Sequence, residues 1–100
     1  MIGNIGANKM PKQNKPKDGD LRVWWIPQVP GKPFYVFVED IDEAGLIINT
    51  LAYYDLFQLQ NNIKPDYSNV GGLEVFEDKK WSEWYSTDGE DIDEYAVNKE

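Results

Sequence analysis

The stretch "DLFQLQNNI", residues 55–63, decides how many strands this chain has. Its Phe57-Gln58-Leu59-Gln60 core alternates apolar and polar, the period of a strand with one wet face. Just upstream, Ile41, Ala44, Ile48 and Leu51 fall at helical spacing, with Ile47 and Tyr54 widening the stripe. The alternation predicts that the helix ends near Tyr54 and that a third strand starts near Leu56. On the other reading the helix continues to about Asn61, and Asn61-Asn62 stop it.

Working outward, "KPDYSNVGG", residues 64–72, then links this strand to "LEVFE", residues 73–77, as a hairpin connection. Asp66, Ser68 and Asn69 can bond their own backbone in tight turns, and Gly71-Gly72 can take a positive φ or form a bulge. A phosphate cradle should instead precede a helix and match a glycine spacing that this stretch lacks. Tyr67 is larger than any turn requires, which makes Asp66, Tyr67 and Asn69 candidates for touching a partner.

Upstream of the helix, "LRVWWI" (21–26) and "FYVFV" (34–38) read as strands of a hairpin. Pro30-Gly31 between them suits the centre of a type II turn. Asp40 and Glu43 form an Asp version of the capping box that starts the helix. Gly45 within it suggests close approach of helix to sheet. Downstream, "DKK" (78–80) turns into "WSEWYS" (81–86), and Thr87 with Glu90 boxes a short helix whose Ile92, Tyr95 and Ala96 face inward. The fold class is α+β: an antiparallel sheet of about five strands with one main helix packed on a face, in the order ββαβββ. Residues 20–100 form this single domain behind a flexible basic tail over residues 1–19.

Composition narrows the chemistry. The chain has 100 residues, 41% of them apolar, and its fourteen aromatics include four Trp, enough for a core. There is neither cysteine nor histidine, so disulfides, thiolate chemistry and histidine-based triads are excluded. Residues 1–20 hold four lysines and two aspartates, whereas residues 21–100 hold six bases and sixteen acids. An acidic body repels phosphate backbones, so the folded domain should not bind nucleic acid directly. The acids from Asp88 to Glu94 do not follow a calcium-loop pattern and suit a helix N-terminus instead. No stretch is long and apolar enough for a signal peptide or membrane span, so a cytoplasmic protein is expected. Nothing pairs two carboxylates or activates Ser68, and neither an enzyme nor a cofactor is expected.

The aromatics carry the remaining signal. Trp24 and Trp25 should point to opposite faces of their strand, and Trp81 and Tyr85 alternate with Trp84. A small core cannot hide them all. Trp24, Trp81, Trp84 and Tyr85 therefore join Asp66, Tyr67 and Asn69 as candidate partner-binding residues.

"VWWIPQVPGKPF", "LAYYDLFQLQNNIKPDYSNVGGLEVFED" and the Trp-x-x-Trp-Tyr segment followed by "DGEDIDEY" together resemble small bacteriophage superinfection-exclusion proteins of the gene-product-seventeen type. The resemblance spans roughly residues 21–95. It implies a phage-encoded accessory protein acting in the bacterial host cytoplasm, and it transfers no catalytic residue. The expected mode of action is binding to a host or phage protein, as monomer or homodimer. The rival readings are an acidic DNA mimic that inhibits a DNA-binding protein, and an assembly protein that dimerises through a sheet edge.

Overall fold

A computed structural model describes residues 15–99, with side chains through Tyr95. Residues 1–14 of the expected tail and the inward position of Ala96 lie outside the described residues. The elements are β1 (Leu21–Ile26), β2 (Phe34–Val38), α1 (Ile41–Gln60), β3 (Val70–Glu77), β4 (Lys80–Glu83) and α2 (Ile92–Lys99). The strands form one antiparallel sheet in the order β2-β1-β3-β4. The α+β class and the main helix on one face stand as expected, with four strands where five were counted.

The difference lies in the deciding stretch. Residues 56–63 form no strand; α1 runs on to Gln60 and stops at Asn61-Asn62. Asn62 takes φ 61°, a left-handed cap that asparagine tolerates better than most side chains. The Ile63 and Lys64 N–H groups both donate to the Gln58 carbonyl, at 2.8 and 3.2 Å, which satisfies an orphan acceptor of the last turn. Residues 64–69 consequently join a helix to a strand, and no hairpin connection exists there. Gly71 and Gly72 belong to β3, and neither has a positive φ.

Other local expectations divide. Asp40 caps α1, its Oδ1 accepting the Glu43 N–H at 2.8 Å. The turn into β4 is Asp78-Lys79, both at positive φ, the two-residue hairpin geometry that matches strand twist. The strand predicted over 81–86 ends at Glu83. The β1–β2 loop is not a type II turn: Val29–Pro30 is cis, and Gly31 avoids the left-handed region. Glycine is needed at 31 because a β-carbon would stand 2.6 Å from the Gln28 carbonyl oxygen. Gly45 does not mediate close approach, since a β-carbon there meets nothing within 4 Å. Thr87 does not start a helix. Ser86 Oγ accepts from the Asp88 and Glu90 N–H groups, holding that segment as a turn, and the box that opens α2 is Asp91 with Glu94. Gly19 N–H donates to the Phe76 carbonyl and Phe76 N–H to that of Asp20, so the end of the predicted tail is bonded to β3.

The core sits between one sheet face and the two helices. Val23, Trp25 and Leu73 from the sheet meet Ala44 and Ile48 of α1 and Ile92 of α2. Trp84 and Tyr95 pack against this cluster and against each other, edge to face at 5.6 Å. Tyr54, expected to widen the inner stripe, is exposed instead.

Among the described residues, one charged side chain lies in this core. Asp55, 3% exposed, stands on the inner side of α1. Its Oδ2 accepts from Trp25 Nε1 at 3.3 Å and Asn69 Nδ2 at 2.9 Å, and it pairs with Lys64 Nζ at 3.4 Å. Lys64 also donates to the Pro27 carbonyl. A carboxylate this deep is tolerated because donors converge on it. It ties α1, β1 and the 61–69 connection together.

Candidate functional site: the open face of the sheet

Strand register determines what the face opposite the helices carries. Phe37, Arg22, Glu74 and Glu83 line up across all four strands, since Arg22 pairs with Phe37 and Glu74, and Glu74 with Glu83. The next row is Tyr35, Trp24 and Gly72, and on the other side Phe76 pairs with Trp81. Alternation puts all of these on the face away from Val23 and Leu73.

Arg22 organises this surface. Its Nε donates to Glu74 Oε1 at 2.7 Å, and its guanidinium lies 3.9 Å from the Tyr35 ring centre and 4.1 Å from that of Trp81. A weakly hydrated, planar cation suits such a sandwich better than an ammonium. Trp81 also packs edge-on against Phe37 at 6.1 Å and Phe76 at 5.2 Å. The rings half-bury one another and leave an aromatic surface with a single paired cation at its centre.

Trp24 completes the face by lying across Gly72. A β-carbon on Gly72 would stand 2.7 Å from Trp24 Nε1 and 3.0 Å from Glu83 Oε2. The Trp24 N–H is buried without an acceptor in hydrogen-bond geometry. Burial pushes the Glu83 carboxyl above its ordinary value, the adjacent Trp24 N–H offsets part of this, and the charges of Asp91, Glu74 and Asp93 add to the rise.

The seven candidates from sequence do not all come together. Trp24 and Trp81 share the open face. Asp66, Tyr67 and Asn69 lie in the connection after α1, on another part of the molecule. There Asp66 accepts from Gln28, Tyr67 Oη donates to the Ala52 carbonyl at 3.3 Å, and Asn69 serves Asp55. Hydrogen bonds from Gln28 and then Ser68, with the nearby Lys64 charge, lower the Asp66 carboxyl below its usual value. Trp84 packs on the core, while Tyr85 is 59% exposed. Arg22, Tyr35, Phe37 and Phe76 escaped the sequence reading; matching Trp24-Trp25 with Gly71-Gly72 would have set the register that reveals them.

A family described as superinfection exclusion gene product 17 matches this chain over residues 20–100, the whole of the sheet and both helices. This chain belongs to that family. A superinfection exclusion protein of Salmonella phage P22 is 47% identical over 79 residues, covering 66% of this chain and 77% of the relative. No solved structure matches it. The superinfection-exclusion family thus gives the chain a phage accessory role. Among the described residues, no helix is long and apolar enough to cross a membrane.

Proposed function

We propose that this protein takes part in superinfection exclusion as a non-catalytic binding module in the host cytoplasm, and that the open sheet face is where it grips a protein partner. The observation that carries the reading is the set of Tyr35, Trp24, Trp81, Phe37 and Phe76 around Arg22 on the face neither helix covers. Aromatic residues and arginine are the side chains that concentrate binding energy at protein interfaces. With Arg22 paired to Glu74, the rim is acidic through Glu83 and its neighbours Asp91 and Asp93. The fitting partner is a protein that offers an apolar patch edged by lysine or arginine.

The experiment is an exclusion assay in host cells expressing the protein, challenged with a related phage. Trp81→Ala and Tyr35→Ala should abolish exclusion while the purified variants keep cooperative unfolding. Tyr67→Ala, in the connection after α1, should leave exclusion intact. Full exclusion by a folded Trp81→Ala, Tyr35→Ala double variant would remove the open face from the function.

A further inference from the structure

Helix α1 is apolar on two opposite sides. Ala44, Ile48, Leu51 and Asp55 face the sheet, and half a turn away Leu46, Thr50, Tyr53 and Phe57 form a second stripe, flanked by Tyr54 and Leu56. Leu46, Tyr53 and Phe57 are 66%, 73% and 55% exposed. Thr50 spends its hydroxyl on the Leu46 carbonyl at 2.7 Å, so its polar group is already satisfied within the helix. Between Ala44 and Gln60 the one charged residue is Asp55, which is buried. A protein of net charge −8 therefore keeps one long helix face uncharged and mostly apolar, with Asn49 and Thr50 its polar side chains. Apolar stripes on two opposite sides are more than one sheet can cover.

We infer that this face is covered by a second copy of the chain, as an antiparallel pair of α1 helices related by a twofold axis. Three arguments select that occupant. The stripe is self-complementary: an axis midway between Leu51 and Ala52 sets Leu46 against Phe57 and Thr50 against Tyr53, and the reciprocal contacts follow automatically. The same axis sets Glu43 against Gln60 and Asp42 against Asn61, acids against uncharged amides. A parallel pair would instead bring the two acidic first turns together. Finally, the six side chains expose roughly 600 Å², and their complete burial in two copies would remove at most about 1,200 Å², the lower end of what specific interfaces need. Partners also strongly acidic, as copies of this chain are, can approach closely only where neither carries charge.

The full-length protein, by sedimentation equilibrium at roughly 100 µM, should have twice the 11.6 kDa protomer mass. Tyr53→Glu should raise the dimer dissociation constant at least about 30-fold, with helical content unchanged. Leu46→Glu provides a second disruption if Tyr53→Glu does not fold. Because the chain has no cysteine, orientation can be read directly. Leu46→Cys protein mixed with Phe57→Cys protein should cross-link through a short bis-maleimide, and neither alone should, since the two positions lie roughly 16 Å apart along a helix. A wild-type monomer at that concentration overturns the proposal. So does a dimer unaffected by Tyr53→Glu and Leu46→Glu, or efficient cross-linking of Leu46→Cys alone.

Discussion

The indole of Trp25 occupies the space in which Gly71 would carry a β-carbon: such an atom would lie 2.8 Å from Trp25 Cζ3, closer still to Cε3, and 2.8 Å from the Trp24 carbonyl oxygen. Gly71 pairs with Trp25 on the inner face as Gly72 pairs with Trp24 on the outer. Gly71→Ala should therefore cost stability of about 1–3 kcal/mol by overpacking. Gly72→Ala should cost less, because the side chains of Trp24 and Glu83 can yield where the backbone at Trp24 cannot. Urea denaturation of both variants checks the order, and equal costs would contradict it.

Asp55→Ala should destabilise by about 3–5 kcal/mol, because it strands the buried Lys64 ammonium and leaves two donors without an acceptor. Adding Lys64→Met should restore part of the loss. Strict additivity of the two substitutions in a double-mutant cycle would show that the pair does not act together.

Arg22→Lys keeps the charge but loses the planar group held between Tyr35 and Trp81. A loss of about 1–2 kcal/mol is expected from two weakened ring contacts and a poorer bond to Glu74. Unchanged stability would mean that the sandwich contributes nothing beyond its charge.

Glu83 gives a pH signature. Its folded-state pKa is raised, chiefly by burial, so ionisation opposes folding: the native state holds the proton more tightly than the unfolded chain. This penalty is present above the raised folded value and is relieved as pH falls through it toward the ordinary glutamate range. Glu83→Gln should melt above the wild type at pH 7, with the gap closing on acidification. A gap that stays constant with pH would assign the change to packing alone.

Much of this was legible in the sequence. Asp40 with Glu43 gave the helix start, Asp78-Lys79 the tight turn, and Trp24 with Trp25 the two-faced strand. The end of α1 was not, because a helix apolar on both sides imitates strand alternation over a few residues. Phe57 belongs to the outer stripe and Leu59 to the inner one, so their period of two is accidental. The open face was half legible. Trp24 and Trp81 declared themselves by size, but Arg22 and Glu74 meet only through a register that no local pattern encodes. Nothing near Asp55 along the chain marks it as buried, because its donors come from positions 25, 64 and 69.

The buried carboxylate also settles a choice of rotation. Because α1 has two apolar sides, hydrophobicity alone would let it roll half a turn and seat Leu46, Tyr53 and Phe57 on the sheet. In that rolled state Asp55 would be content in water, but the Trp25 N–H and the Asn69 amide would lose their acceptor and the Lys64 ammonium its counter-charge. Three disappointed donors on neighbouring segments thus act as a key that the helix fits in one orientation, and they keep its greasier aromatic side turned outward.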